Sequence, residues 1–574
     1  MVRVRRYVIC LVIVSFALAG QVVIAQCDPH WAQGLFSTQG LGGTTYAYVN
    51  SLCTYNGELY VGGTFVAAGD INVSYIARWN GSYWQPVGSG VGGYVSAMCV
   101  YNGELYVGGH FTSAGGIEAN FIARWNGSEW RSVGNGTNGP VLALCVYNGE
   151  LYAGGVFTVA GDQPALHIAR WNGSSWSAVG SGLDGGAFPY VFALCAYNGE
   201  LYAGGGFQNA GSIPVGYIAK WDGDSWQSVA GGANNFVHTL CVFDGELYAG
   251  GDFTFVGGIA ATRIARWNGT TWQSLGSGMN QSVRVLREYG GELYAGGAFT
   301  NAGGIPAGRI AKWNGNTWQA LGAGIGGEYP VVYALCDYND GLGAGKALYV
   351  AGYFSSAGGY DSLCIARWGC ETPVTTIPQA KLSLDSRLVN LAGVTATASF
   401  GSVFYVSEVL HQKQVSGIRV LLPDHNVPPG HHAYITGRVR TNSNGERYIE
   451  AWSAEVGDSS VAKPVYLAAK NLGGGSFGFA AQGGQEGVVN GVGLNNIGLL
   501  VRLCGEFTYI DGETFLINDG STSLKCVTAP GTDIDPMWQY VAATGVVSCE
   551  RNAQGICPVL IVTSVEDISS LRQQ

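Results

Sequence analysis

Charge is scarce in this chain. Of its 574 residues only 12% are Asp, Glu, Lys or Arg, and the balance is acidic, with a formal net charge of −10. Phosphate binding needs clustered Lys and Arg, so nucleic acid is not an expected partner. Helical periodicity is absent almost throughout, which argues against an α-helical architecture. No stretch after the first 25 residues is long and apolar enough to cross a bilayer. Histidine is thin as well: His110, His167 and His238 lie well inside the first two-thirds of the chain, each in a different local context. No Gly-x-Ser-x-Gly turn argues for an activated serine. No convergent His and Tyr set suits copper, and carboxylates such as Asp222 and Asp224 are too scattered for a calcium loop. No catalytic residue, metal ligand or cofactor is therefore expected, and a non-enzymatic role is the natural reading.

The N-terminus carries Arg3, Arg5 and Arg6, an apolar run from Tyr7 to Leu18, and Val23-Ile24-Ala25 before Gln26. This pattern reads as a secretory signal peptide over residues 1–25, cut after Ala25. Gln26 is not the small residue a lipoprotein signal needs before Cys27, so no lipid anchor is expected. A retained membrane anchor is the alternative, though the apolar run is short for a span. The expected mature chain is a monomer without a membrane span, secreted and extracellular or held at the cell surface.

Glycine, by contrast, is plentiful, at 91 residues, and 16 tryptophans recur at fixed places. Ile-Ala-Arg/Lys-Trp appears seven times. Six copies continue through an Asn/Asp-Gly turn to a second Trp: Trp79/Trp84, Trp125/Trp130, Trp171/Trp176, Trp221/Trp226, Trp267/Trp272 and Trp313/Trp318. The spacing is 46 residues, lengthening to 50 and 55. One unit runs Val95–Tyr101, Asn-Gly, Glu104–Phe111, a loop, Phe121–Trp125, a turn and Trp130. Such a unit reads as four short strands parted by hairpin turns, for which Asn-Gly is the strongest short signal. A period of 40 to 50 with four strands is that of a β-propeller blade. A Gly-Gly doublet closes the second strand of six units, Ala351-Gly352 replaces it in the seventh, and a Phe follows two positions later from Phe65 to Phe354.

Leu-Tyr-x-Gly-Gly, then Ala-Arg-Trp-Asn-Gly, then a Trp opening the last strand resembles the kelch repeat. It is also similar to repeats of fungal cell-surface polarity markers and of secreted bacterial repeat proteins. The resemblance covers about residues 31–368 and implies an all-β fold: a seven-bladed propeller of four-stranded blades. The seventh unit stops at Trp368-Gly369-Cys370, so its missing Trp is expected to be Trp31, and the N-terminal strand is expected to close the ring. Cys27 and Cys370 then flank the severed turn and are expected to form a disulfide, with two unrelated thiols as the alternative.

Cys53, Cys99, Cys145, Cys195, Cys241 and Cys336 recur at one place in the first strand, with Arg287 in the sixth unit. Core packing is favoured over metal binding for them. The cations Arg78, Arg124, Arg170, Lys220, Arg266, Lys312 and Arg367 could meet an anion. Antiparallel pairing instead sets most of them beside Glu58 to Glu292, as structural salt bridges.

Strand parity puts the short, constant turns on one face and the variable loops on the other. Recognition is expected on the variable face, at His110, Asp252, Tyr353, Phe188, Tyr190 and Tyr329. Variable surface without function is the alternative.

The Trp period ends at a linker by composition, 371–378. Two similar segments follow, 379–458 and 497–574, joined by 459–496. Each shows three strands and then an apolar-Thr-Gly run, which resembles tandem OB-like barrels. With 13 Lys/Arg against 17 Asp/Glu over 379–574, they are not expected to bind single-stranded nucleic acid. Cys504 with Cys526, and Cys549 with Cys557, are candidate disulfides. The barrels should hang from the short-turn face. Together these readings give domains at 1–25, 26–370, 371–378, 379–458, 459–496 and 497–574. The expected role is a non-catalytic recognition module for an extracellular glycan or protein. A structural component of an envelope or matrix is the alternative, and a polysaccharide-active enzyme a more distant one.

Overall fold

The computed structural model describes residues 29–36, 40–343, 345–383, 385–409, 415–444, 446–460, 464–467, 469, 472, 477–480, 483–485, 499–528, 534–552, 555–562 and 568–570. The signal-peptide reading of 1–25 and Cys27 lie outside them. Among the described residues the fold is all-β, with one α-helix, Ile377–Leu382. That helix is too short and polar to cross a membrane.

Residues 30 to 369 build seven four-stranded antiparallel sheets. In the second, Tyr94–Tyr101, Glu104–His110, Ile122–Trp125 and Trp130–Ser132 pair in chain order. Asn102 and Gly103 both have positive φ, 48° and 77°, which is the hairpin turn whose twist matches the strands it joins. Asn126 Oδ1 accepts from the N–H groups of Ser128 and Glu129, at 2.8 and 2.9 Å, and so holds the turn that sets Trp125 opposite Trp130. Their rings lie 5.3 Å apart. Trp130 donates its indole N–H to the carbonyl of Val87 in the preceding sheet, 2.9 Å away.

The cores lie between sheets rather than within them. Tyr101, Tyr106 and Ile122 of the second sheet share one cluster with Val141, Leu151, Phe157, Trp171 and Trp176 of the third. Each large apolar side chain so buried contributes roughly 1.5–3 kcal/mol. The Gly-Gly doublet makes this approach possible, because a Cβ on Gly108 would lie 2.6 Å from Val141 Cγ1.

The seventh sheet is assembled from both ends of this region. Val331–Tyr338, Ala347–Tyr353 and Ile365–Gly369 take His30–Trp31 as their fourth strand. Its other face meets the first sheet: Tyr338, Tyr349 and Ile365 share a cluster with Val49, Leu59, Trp79 and Trp84. Cys370 is disulfide-bonded.

The Glu–Arg reading holds in six sheets: Arg78 meets Glu58 at 3.0 Å and Lys312 meets Glu292 at 2.8 Å, with Arg124, Arg170, Lys220 and Arg266 paired alike. The seventh has Ala347 where Glu stands elsewhere. Its Arg367 turns instead to Asp340, 2.5 Å away, and to Glu371, at 3.5 Å.

Beyond Cys370 the composition suggests a linker, yet Glu371 is buried and takes both its oxygens to Arg438, at 3.0 and 2.9 Å. Arg438 also donates to the carbonyl of Gln33, 2.7 Å away. A closed five-stranded barrel follows, made of Leu388–Phe400, Val403–Val409, Val415–Leu421, Arg447–Ser459 and His431–Thr441 in that order. Ser386 donates to the carbonyl of Ser82 and Arg387 to that of Gly341. Ser82 sits on a short turn of the first sheet and Gly341 on the longer loop at the same end of the seventh, so the barrel rests on the short-turn face. Farther on, Leu500–Tyr509, Thr514–Asn518, Ser523–Thr528, Gly555–Val562 and Tyr540–Asn552 repeat the barrel's strand order inside a seven-stranded sheet. Both sets have one parallel pairing, Val415–Leu421 with Arg447–Ser459 and Ser523–Thr528 with Gly555–Val562.

Two candidate disulfides are corrected here. Cys504 is exposed on Leu500–Tyr509, whereas Cys526 points into the core two strands away, and the two are not linked. Cys549 pairs with Pro558, and Cys557 with Glu550. That one-residue offset sends the two sulfurs to opposite faces of the hairpin, because neighbouring side chains along a strand alternate.

Candidate functional site

Every first strand of the seven sheets carries a buried Val as its first or second residue and then breaks register. In the fifth sheet Val237 pairs with Gly251 and Thr239 with Gly250, leaving His238 as an extra residue. The same bulge releases Asn50, Ser96, Leu142, Phe192, Arg284 and Tyr333 in the other sheets. All seven bulged side chains are half-buried, between invariant core neighbours and solvent. A bulge re-aims one side chain and leaves the ladder on either side intact. Here it aims seven different side chains toward the variable-loop end.

Two other positions border these bulges. The residue following the doublet is Thr64, His110, Val156, Gly206, Asp252, Ala298 or Tyr353. The residue opening the third strand is Tyr75, Phe121, His167, Tyr217, Arg263, Arg309 or Cys364, and all seven adopt a left-handed backbone with φ between 62° and 68°. Non-glycine residues hold that conformation only where the surroundings fix it. In the fifth sheet the N–H of Arg263 reaches the carbonyl of Phe253, and its own carbonyl accepts from Gly251.

The fourth, fifth and sixth sheets draw these positions together. His238 Nε2 donates to Asp252 Oδ2 at 2.7 Å, and Arg284 Nη1 lies 3.0 Å from Nε2 and 3.3 Å from Nδ1 of the same ring. Arg263 donates to the backbone carbonyl of Asp252. Burial opposes ionisation of Asp252, but its bonds and charge contacts with His238, Ser282 and Arg284 outweigh it and hold the carboxyl down to about 2. Burial, helped by Arg284, lowers His238 below its ordinary value, so its ring is neutral at pH 7. An aromatic arc leads into this cluster: Phe188 to Tyr190 at 5.9 Å, Tyr190 to Phe192 at 6.2 Å, Phe192 to Phe236 at 6.1 Å and Phe192 to His238 at 5.4 Å.

Of the six residues expected from sequence, Asp252, Phe188 and Tyr190 therefore fall in one group. His110 stands apart, 6.4 Å from Tyr94, and burial lowers its pKa. Tyr353 lines a separate cavity of about 310 Å³ with Glu328, Thr44 and Thr45. Tyr329 is 80% exposed and stacks on no other ring among the described residues. The sequence reading missed Phe192, Phe236 and Arg284 and gave His238 no role. For Phe192, His238 and Arg284 the signal was present: a position that changes from sheet to sheet directly after a Val that never does.

The cysteines of the first strands sit deeper. Burial pushes the thiols of Cys53, Cys99 and Cys195 up to about 12 and those of Cys145, Cys241 and Cys336 to about 11. Burial thus keeps them as protonated thiols at neutral pH.

No protein-family description matches the chain, and no curated protein matches it. Among solved structures it is similar to the computationally designed Ika8 protein, at 15% identity over 58% of this chain and all of that one, with a TM-score of 0.35. It is also similar to YjhT, at 13% identity over 49% of this chain and 99% of that one, TM-score 0.30. The tricorn protease matches at 9% identity over 71% of this chain and 48% of that one, TM-score 0.28.

Proposed function

We propose that the seven sheets are the blades of a closed β-propeller of kelch-like type, carrying two OB-like barrels on its short-turn face. The molecule is a secreted or cell-surface recognition module that binds a carbohydrate on the opposite face. The shared core of the seventh and first sheets supports the closure, and the strand order common to the two C-terminal sets supports the barrels. Cys27 is the proposed partner of Cys370.

The single observation that carries the functional reading is the juxtaposition of the Phe188–Tyr190–Phe192–Phe236 arc with the His238–Asp252–Arg284 cluster. Aromatic faces offer large, rigid contact area to the apolar side of a sugar ring, while fixed polar groups beside them read its hydroxyls. The cluster suits holding better than proton transfer. Asp252 engages one ring nitrogen of His238 and Arg284 covers both, so neither nitrogen is open to a reacting group. A glycan array probed with the mature protein tests the reading. Binding that disappears with Phe192→Ala supports it, whereas capture of a protein in pull-downs with no array signal replaces the sugar with a protein ligand.

A further inference from the structure

Most arginines in the seven sheets are matched to a carboxylate: Arg78, Arg124, Arg170, Arg266, Arg287 and Arg367 each form an ion pair. Arg263, Arg284 and Arg309 do not. Among the described residues no carboxylate oxygen lies within 4.0 Å of their guanidinium groups. All three stand on the variable-loop face of the fifth and sixth sheets, half-buried. Each is held from behind. Arg263 donates to the carbonyl of Asp252, Arg284 rests on the His238 ring, and Arg309 donates to the carbonyls of Pro330 and Phe299 at 2.8 and 3.3 Å. Two of them, Arg263 and Arg309, have the left-handed backbone.

Asp252 feels the charge of Arg284, but its Oδ2 is taken by His238 and its carboxylate forms no ion pair with Arg263 or Arg284. A half-buried guanidinium with no carboxylate bonded to it gives up hydration that carbonyls and a ring only partly return. Anchored on backbone carbonyls or on the His238 ring, it keeps N–H groups that no carboxylate takes, and the guanidinium fork fits an oxyanion. In a chain of net charge −10, such a sector is not explained by general surface charge.

We infer that the carbohydrate taken by this face is acidic: its ring lies on the Phe192 side, and a carboxylate or sulfate ester meets Arg284 and Arg263. The inference rests on the carbohydrate reading above, and it narrows the ligand from a sugar to a sugar bearing an oxyanion. Arg309, on the sixth sheet with Arg284, provides for a second anionic unit of the same chain.

Calorimetric titration of the full mature protein tests this with two matched pairs: oligogalacturonate against its methyl ester, and sulfated against unsulfated dextran oligosaccharide. The charged member of at least one pair should bind about tenfold or more tightly than its neutral counterpart, and which pair responds identifies the oxyanion. Arg284→Gln and Arg263→Gln should weaken the charged member far more than the neutral one and so abolish that preference. Arg284→Lys keeps the charge but not the fork and should retain part of it, and thermal melts of all variants exclude misfolding as the cause. Equal binding of charged and neutral members overturns the acidic inference and leaves the carbohydrate reading standing. Absence of binding by every member also overturns it, and the glycan array then decides the broader reading. A preference for poly-Glu peptide over both charged sugars overturns it in favour of an acidic peptide.

Discussion

Trp31 donates its indole N–H to the carbonyl of Leu321, 290 residues later, at 2.8 Å, and packs edge-on against Trp368 with ring centroids 5.1 Å apart. The same bond links Trp130 to Val87 and Trp176 to Val133 between neighbouring sheets. Trp31 thus does for the seventh sheet what each local second Trp does for its own. Trp31→Ala should cost about 3–5 kcal/mol, the usual range for emptying a large aromatic site. Trp31→Phe should cost less, since it keeps most of the packing but loses the bond. Denaturant unfolding of both variants checks the order; equal and negligible losses would mean the seventh sheet does not depend on its borrowed strand.

The junction with the barrel rests on buried charge. Glu371 lies between Arg367 and Arg438, and all three side chains are about 1% exposed. Removing one partner from such a set strands the others, at about 3–5 kcal/mol. Glu371→Gln should therefore lower the melting temperature and, in calorimetry, separate the barrel's transition from that of the sheets. A single unshifted transition would show that the junction does not couple them.

Acid stability should report on the candidate site. The folded pKa of Asp252, about 2, lies below its ordinary value, so its contribution is present above about pH 4 and is lost as pH falls toward 2, at up to about 2 kcal/mol. His238 is also lowered. The unfolded chain then binds the proton more readily, and stability falls as pH drops below about 6.5. Asp252→Asn should flatten the lower part of the stability–pH curve and His238→Gln the upper part. Unchanged curves for both variants would show that the two groups are not coupled as described.

Cysteine chemistry divides the fourteen thiols. Non-reducing peptide mapping should find Cys370 joined to Cys27, with Cys504, Cys526, Cys549 and Cys557 all alkylated after denaturation without reductant. A Cys549–Cys557 peptide would require a one-residue slip of that hairpin.

Much of the fold is written in the repeat itself. The Trp pairs, the Asn-Gly turns and the Glu–Arg spacing are local or near-local, and each corresponds to a strand, a hairpin or a salt bridge where expected. What escapes is register. His238 and Arg284 face the site only because a bulge advances them by one residue, and alternation read from sequence cannot show where a ladder skips. The same one-residue question decides Cys549 and Cys557. Contacts such as Glu371 with Arg438 join distant segments through single side chains, and no period or motif marks them.

The central claim is that the bulged residues of the variable face form the recognition surface. Its most direct measurement is calorimetric titration with the best array ligand of Phe192→Ala, Arg284→Gln and the opposite-face control Glu129→Gln. The first two should each weaken binding by about tenfold or more, as expected for residues central to an interface, while Glu129→Gln binds like the wild type. Undiminished binding by Phe192→Ala and Arg284→Gln, or loss only with Glu129→Gln, would contradict it.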